Sequence, residues 1–227
     1  MEKPSFPNVL VELGKHSKAV TTLLTRIRDR DTKCEVFVNC SDRLCRLLVE
    51  EGVSHSALAE SRVITTPTDM TFAGLELAHP LSEACVVSIM RSGDIIAEAF
   101  KQVFPAVSIG KVLIQRLEHT LDKQSQVHYV KLPPDVAQKR VVFLVDPMLA
   151  TGGSAANCLQ VLRDLHKVQL SRVVFLNIIS CPEGLTRLAQ DFPEVKIVTC
   201  AVDLRLNADK YICPGLGDYG DRYYSTH

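Results

Sequence analysis

Apolar and polar residues follow two different patterns along the chain. In the first third, apolar residues recur every three or four positions, a spacing typical of amphipathic helices. This spacing predicts helices over residues 17–30 and 35–51, the second ended by Gly52, and then two short strands over 62–66 and 70–77. The N-terminal part, about residues 1–60, is therefore expected to be helical.

From residue 85 onward the apolar residues form uninterrupted runs. Such runs are typical of strands buried on both faces of a parallel sheet, and they lie at 85–90, 111–114, 141–145, 172–179 and 195–202. Helix-like segments separate several of them, at 94–103, 153–165 and 183–192. The alternation predicts an α/β fold, a mainly parallel sheet flanked by helices. Ligands of such sheets bind beyond the carboxyl ends of the strands.

Composition narrows the class of protein. The 227 residues contain 26 Lys and Arg against 26 Asp and Glu, a balance that argues against a general nucleic-acid coat or a basic membrane-surface protein. The eight cysteines form no C-x-x-C pair and most lie among apolar residues, which favours buried thiols in a reducing compartment. The first residues lack the pattern of a secretion signal. We therefore expect a cytoplasmic protein with one domain over residues 1–227.

The loop after the run at 141–145 has the composition of a phosphate site. It reads Asp146-Pro-Met-Leu-Ala-Thr-Gly-Gly-Ser154, and a predicted helix follows. The glycines let the backbone approach a ligand, and free amides at a helix start attract anions. Asp146 could accept hydrogen bonds from vicinal hydroxyls. The pattern fits a ribose with a terminal phosphate, although an ordinary turn capped by Ser or Thr is the alternative.

Three further segments offer polar groups at the ends of predicted strands or in a glycine-rich tail. Arg91 follows one apolar run and Arg116 another, and a guanidinium fork suits phosphate oxygens. The tail at 211–222 contains three glycines that expose backbone donors and acceptors to a small planar ligand. Taken alone, each arginine could equally be a surface charge, and the tail could be a cluster of turns.

The string at 146–154 resembles the phosphoribosyl-diphosphate (PRPP) loop of the uracil phosphoribosyltransferases, in which proline follows a single aspartate. The segments 86–93, 111–116 and 211–222 are similar to other parts of that family, and the resemblance spans about residues 17–227, most closely to eukaryotic members. It implies transfer of ribose 5-phosphate from PRPP to N1 of uracil, giving UMP and diphosphate in pyrimidine salvage. It also implies Mg²⁺ as cofactor and a homodimer or homotetramer.

The resemblance assigns roles to individual residues. PRPP binding falls to Arg91, Arg116, Arg140, Asp146, Pro147, Met148, Leu149, Ala150, Thr151, Gly152, Gly153, Ser154 and Asp218. Uracil binding through backbone groups falls to Ile212, Gly217, Asp218 and Tyr219, and catalytic roles to Arg91, Arg116 and Asp218. Mg²⁺ is expected to be carried by PRPP near Asp218, without direct protein ligands. The implied architecture is a helical part (about 1–60), a core (about 80–205) and a C-terminal base-binding hood (about 206–227).

Some positions depart from the family pattern. Ser92 replaces the usual alanine, Leu117 stands at a usually polar position, and Tyr219 stands where many members have alanine, so the role of its side chain is open. Some members bind GTP as an activator at a position matching Arg43, but Cys34 replaces a lysine found there, and a solvated helix face is the alternative for Arg43.

Two other functions remain to be weighed against this one. One is a phosphoribosyltransferase for another base, such as a purine or orotate. The other is a non-catalytic nucleotide sensor or RNA-binding regulator of the same fold, which would be expected to have a basic face or to have lost its loop residues.

Overall fold

A computed structural model of the protein describes residues 6–116 and 125–226. Its strands are β1 (Val9–Glu12), β2 (Ala59–Thr65), β3 (Thr71–Leu77), β4 (Ala84–Met90), β5 (Ser108–Arg116), β6 (Ser125–Lys131), β7 (Val141–Val145), β8 (Met148–Leu149), β9 (Val173–Ser180), β10 (Lys196–Val202), β11 (Arg205–Leu206) and β12 (Ile212–Cys213). Its α-helices are α1 (Lys18–Arg28), α2 (Cys34–Ser54), α3 (Gly93–Val103), α4 (Gly153–Gln160), α5 (Pro182–Asp191) and α6 (Tyr219–Tyr224).

The central sheet has the strand order β1-β10-β9-β7-β4-β5-β6, with the short β8 also paired to β9. All of these pairings are parallel except that of β5 with β6. The predicted mainly parallel sheet is therefore confirmed. Because parallel strands end at the same edge, the residues that follow β4, β7, β9 and β10 share that edge.

Alternate residues of the buried strands face two separate cores. On one face, side chains such as Val86, Phe143 and Leu176 join a cluster with residues of α1, α2 and α3. On the other face, Val87 and Leu144 join a cluster with residues of α4 and α5. The period-2 alternation of a strand buried on both faces explains why these runs are mostly apolar.

The N-terminal part differs from the purely helical expectation. Helix α1 begins after Ser17, whose hydroxyl accepts a hydrogen bond from the Val20 amide (3.3 Å). The strand β1 precedes it and pairs with β10 at the sheet edge, which the short run 9–12 did not indicate. Helix α2 continues past Gly52 to Ser54. The predicted stop at Gly52 is wrong, because this glycine is buried against Leu176, where a Cβ would lie 2.7 Å from a methyl carbon.

The two predicted strands near residues 62–77 form a hairpin, β2 with β3, in a sheet of their own. Its turn places Asp69 at φ 62°, a conformation that aspartate tolerates better than most residues. Large apolar side chains of the hairpin are exposed, among them Val63 (68%), Phe72 (57%) and Leu75 (70%). Within the described residues, no helix is both long and apolar enough to span a bilayer.

Candidate functional site

The loops after β4 and β7 meet at the carboxyl edge of the sheet. Helix α3 begins so close to β7 that a Cβ on Gly93 would lie 2.4 Å from the Val145 carbonyl oxygen. Only glycine allows this approach. It brings Ser92, just before α3, within reach of Asp146, just after β7, and the Ser92 hydroxyl donates a 3.1 Å hydrogen bond to Asp146 Oδ1. The serine that departs from the usual family residue thus orients the aspartate.

The loop from Asp146 to the start of α4 is held by its neighbours through the backbone. The Pro147 carbonyl accepts hydrogen bonds from the amides of Ile178 (2.9 Å) and Ile179 (3.0 Å) on β9. Gly152 adopts φ +74° immediately before α4, a left-handed conformation that favours glycine. The loop lines a concavity of about 40 Å³ formed by Asp146 and residues 148–155. Backbone amides at the start of α4 therefore surround a space suited to an anion.

Helix α5 packs against the outer side of this loop. A Cβ on Gly184 would lie 2.6 Å from the Ala150 carbonyl oxygen, so α5 rests directly on the loop backbone. The Cys181 thiol donates a 3.0 Å hydrogen bond to the same carbonyl, and burial raises the pKa of this thiol to about 12. A protonated thiol donor is thus part of what fixes the loop.

Arg91, at the end of β4, contacts the C-terminal helix. Its Nη2 lies 2.6 Å from Asp221 Oδ1, its Nη1 donates to Thr226 Oγ1 (2.9 Å), and its guanidinium carbon lies 5.4 Å from the centre of the Tyr224 ring. The side chain is 49% exposed. The guanidinium is therefore oriented by α6 and the residues that follow it, and it still faces solvent.

Asp218 lies beside this arginine. A Cβ on Gly220 would lie 3.1 Å from Arg91 Nη2 and 3.4 Å from Asp218 Oδ1, so both groups converge on one glycine. Asp218 Oδ1 accepts a 2.8 Å hydrogen bond from the Asp221 amide and caps α6. The structure thus brings together two residues that the resemblance assigns to PRPP binding, Arg91 and Asp218.

The glycine-rich tail forms two tight turns. Gly215 (φ +59°) and Gly217 (φ +85°) adopt left-handed conformations, and a Cβ on Gly215 would lie only 2.0 Å from the Ile212 carbonyl oxygen. An open cavity of about 490 Å³ adjoins this tail and is lined by Arg28, Arg30, Pro214, Leu216, Gly217, Asp218, Asp221 and Arg222. Two of the predicted base-binding positions, Gly217 and Asp218, therefore border an open cavity.

The side chain of Tyr219 points away from this cavity. It is 1% exposed and packs edge-to-face on Phe37 of α2, with the ring centres 5.3 Å apart. Burial raises the pKa of its phenol well above the usual 10. This placement answers the question that the sequence left open about the Tyr219 side chain, since the ring anchors the tail to α2.

The other predicted residues lie as follows. Arg116 ends β5, next to β4, at the same sheet edge as Arg91, while its side chain and the arm at 117–124 lie outside the described residues. Arg140 precedes β7 and therefore lies at the amino edge of the sheet, opposite Asp146, where its Nε contacts Glu83 Oε2 at 2.7 Å. This placement gives Arg140 a structural partner far from the loop. Arg43 is exposed on α2.

Sequence reasoning missed four residues that hold the tail in place. Arg222 donates to the carbonyls of Ile27 (2.6 Å), Leu216 (2.8 Å) and Asp29 (2.7 Å), so it caps the end of α1. Asp221 orients Arg91, and Arg28 and Asp203 form a further ion pair against the tail. Asp203 directly follows an apolar run, and Asp221 and Arg222 lie within the tail segment 211–222, whereas Arg28 had no such signal in the sequence.

Comparison with known proteins agrees with this geometry. The sequence model described as "Uracil phosphoribosyltransferase" matches residues 15–226. Curated uracil phosphoribosyltransferases of Dictyostelium discoideum and Lachancea kluyveri are 41% and 44% identical, covering 98–99% of this chain and 99% of each relative. A solved structure of the AQ2163 protein from Aquifex aeolicus superposes with a TM-score of 0.77 at 33% identity, covering 96% of this chain and 98% of its own. The chain therefore belongs to the uracil phosphoribosyltransferase family.

Proposed function

We propose that the protein transfers ribose 5-phosphate from PRPP to N1 of uracil, with UMP and diphosphate as products, in the salvage of pyrimidines. The observation that carries this proposal is a convergence at one edge of the sheet. An anion-binding loop after β7, a guanidinium after β4 and a glycine-rich backbone turn lie there together. Family membership supports the same reaction.

The loop after β7 would bind the ribose 5-phosphate group. Amides of residues 150–154 would hold the 5′-phosphate, since the start of α4 presents backbone donors and the positive end of the helix dipole. The Asp146 carboxylate, oriented by Ser92, would accept hydrogen bonds from the ribose hydroxyls. Pro147, Met148 and Leu149 would shape the loop through the pairing of β8 with β9.

The arginines after β4 and β5 would bind the leaving diphosphate. Breaking the bond at C1 of the ribose leaves positive charge on the sugar and negative charge on the diphosphate. A guanidinium fork that is already oriented stabilises such developing charge without reorganisation. Arg91 is held in this way by Asp221, and Arg116 ends the neighbouring strand. Arg140 is not included in this part of the proposal, because it lies at the opposite edge.

Mg²⁺ fits the groups present at this edge. In the described part of the chain no three acidic, His or Cys side chains converge as a metal cluster, whereas Asp218 offers an exposed carboxylate next to Arg91. Magnesium commonly takes one or two carboxylates together with water and substrate phosphate oxygens. We therefore propose that Mg²⁺ enters with PRPP and lies near Asp218, without direct protein ligands. When bound, it neutralises charge on the diphosphate.

Backbone groups at Ile212, Gly217, Asp218 and Tyr219 would read the base. Uracil presents acceptor, donor and acceptor along O2, N3–H and O4, whereas cytosine reverses the donor and acceptor at N3 and the 4-amino group. A rigid backbone rejects the reversed pattern because polar groups would be left unpaired. The Asp218 carboxylate would contact PRPP or the N1 proton. Holding both reactants in line lowers the activation barrier by several kcal/mol. The proposed reaction therefore does not require a strong general base.

We extend the proposal to assembly and location. The apolar side chains exposed on the β2–β3 hairpin, Val63, Phe72 and Leu75, would be covered in a homodimer or homotetramer. Helices α1 and α2, the sheet and the tail contribute to one apolar cluster, which supports a single domain. Buried thiols such as Cys45, Cys158 and Cys200 suit the reducing cytoplasm.

Activation by GTP is a separate part of the proposal. Arg43 lies exposed on α2, the helix that the tail contacts through Tyr223 and Asp42 (2.7 Å), so a ligand there could act on the base-binding turn. A titration of GTP against wild type and Arg43→Gln tests this. Stimulation that disappears in the variant supports it, and an equal response in both proteins contradicts it.

Product analysis tests the proposed function directly. Purified protein is incubated with PRPP, Mg²⁺ and uracil, with and without GTP, and nucleotides are identified by mass. UMP formation is the expected result. Measurable PRPP binding without product from any base would instead support the nucleotide sensor, and binding of RNA with a steep salt dependence would support the RNA-binding regulator.

A further inference from the structure

An ion pair between residues at the ends of α1 and β10 contacts the glycine-rich tail. Arg28 Nη2 lies 2.6 Å from Asp203 Oδ1 and Arg28 Nη1 lies 2.8 Å from Asp203 Oδ2, a bidentate pair. The Asp203 side chain is 4% exposed and that of Arg28 is 22% exposed. Both groups have a second partner, which is the backbone of Gly215.

The Arg28–Asp203 pair forms hydrogen bonds with both backbone polar groups of Gly215, an arrangement that we call the clamp. The Gly215 amide donates to Asp203 Oδ2 (2.8 Å), and the Gly215 carbonyl accepts from Arg28 Nη1 (2.9 Å). The peptide groups on either side of Gly215 are therefore fixed in orientation by charge-assisted hydrogen bonds, which are stronger than neutral ones.

The clamped glycine bears on the backbone proposed to read the base. Its α-carbon lies so close to Ile212 that a Cβ would be 2.0 Å from the Ile212 carbonyl oxygen. Ile212 also pairs with Leu206 in the ladder that begins just after Asp203. Movement of Gly215 would therefore move the Ile212 carbonyl on one side and Gly217 on the other.

We infer that Arg28 and Asp203 are positioning residues for base recognition. Their ion pair fixes the Gly215 turn and so sets the direction of the Ile212, Gly217 and Asp218 backbone groups toward uracil. This inference rests on the proposed function. A buried ion pair adds little net stability compared with apolar residues, so its location against the turn, rather than its energy, indicates its role. Arg222 supports the same turn by donating to the Leu216 carbonyl (2.8 Å).

Steady-state kinetics of Arg28→Gln separate positioning from a general structural role. Loss of the clamp is expected to raise KM for uracil about 10- to 100-fold, since a small misplacement of a site can cost that much, while KM for PRPP changes less than about threefold. Arg28→Lys, which keeps the charge but loses the fork, should fall between. Arg26→Gln, exposed on the same helix, is the matched control and should leave both constants unchanged. Equal rises in both KM values, or no rise, would overturn the inference.

Hydrogen exchange at the Gly215 amide supplies a readout independent of activity. Exchange in Arg28→Gln should accelerate at residues 212–217 and remain as in wild type at the amides of β7 and β9. If wild type makes no UMP, the proposed function fails, whereas unchanged exchange at 212–217 would reject the clamp itself. The double variant Arg28→Gln/Asp203→Asn should lower kcat/KM for uracil by a smaller factor than the product of the two factors measured for the single variants. This is expected because the two residues act as one unit.

Discussion

Arg91 and Asp221 form a 2.6 Å ion pair although 130 residues separate them in the sequence. The contact joins the end of β4 to α6, so the edge of the sheet and the glycine-rich tail form one surface. A diphosphate bound by Arg91 would share the guanidinium with this carboxylate. Because both side chains are substantially exposed, at 49% and 38%, the pair orients Arg91 at a small energetic cost to ligand binding.

Replacing Arg91 with lysine tests the diphosphate site. Lysine keeps the charge but lacks the planar fork, so KM for PRPP should rise about tenfold or more, as expected for loss of a charge-assisted hydrogen bond, with KM for uracil nearly constant. Initial rates at varied PRPP measure this effect. Asp221→Asn should change KM for PRPP less than about fivefold. A larger effect of Asp221→Asn than of Arg91→Lys would contradict the proposed role of Arg91.

Asp146→Asn tests the placement of the ribose. The amide cannot accept hydrogen bonds as strongly as the carboxylate, and we expect kcat/KM for PRPP to fall roughly 10- to 100-fold. The exposed Asp164, paired with Arg163, provides the control Asp164→Asn, which should retain wild-type kinetics. Full activity of Asp146→Asn would show that the ribose lies elsewhere.

Two substitutions at Tyr219 separate anchoring from chemistry. Its phenol is buried and its ring packs on Phe37, a contact that phenylalanine keeps, so Tyr219→Phe should keep activity and stability. Tyr219→Ala leaves a cavity beside Phe37 and should lower the free energy of unfolding by about 3–5 kcal/mol. Urea unfolding measures both changes. A large kcat loss in a stable Tyr219→Phe would mean that the hydroxyl takes part in the reaction.

Stability should fall in alkaline solution. Burial raises the pKa of the Cys45, Cys85 and Cys181 thiols from 9.0 to about 12. Above pH 9 the unfolded chain releases these protons while the folded protein keeps them, so the contribution to stability is complete below pH 9 and is lost between pH 9 and 12. Over this range each thiol lowers the free energy of unfolding by up to about 1.4 kcal/mol per pH unit.

Urea unfolding under reducing conditions from pH 8 to 11 measures this slope. The Cys85→Ala variant should show a shallower decline than wild type across that range, since one of the titrating thiols is gone. An unchanged free energy of unfolding from pH 8.5 to 10.5 would contradict the assignment.

The fold and the loop could be predicted because their signals are local. The run at 141–145 coincides with β7, and the nine residues after it form the loop with its left-handed glycine. Strand β1 is too short to show a period. Gly52 has the composition of a helix stop, yet its packing on Leu176 is set by a residue 124 positions later. Local patterns do not encode such contacts.

The contacts that hold the tail in place could not be predicted from the sequence, for the same reason. Arg28 and Asp203 are 175 residues apart, and Arg222 reaches the carbonyl of Ile27, 195 residues away. Charged residues at such positions look like ordinary surface charges in the sequence. Family resemblance identified the residues expected to touch the substrates, and only the three-dimensional arrangement identified those that hold them.

Base selectivity tests most directly whether a rigid backbone turn reads uracil beside a PRPP site. Nucleotide formation would be followed with PRPP, Mg²⁺ and one of uracil, cytosine, orotate or hypoxanthine in parallel. We expect UMP from uracil and a kcat/KM for each other base lower by at least about 10⁴-fold, the discrimination expected of a site built on hydrogen bonds. Comparable turnover of cytosine or of a purine would contradict this expectation.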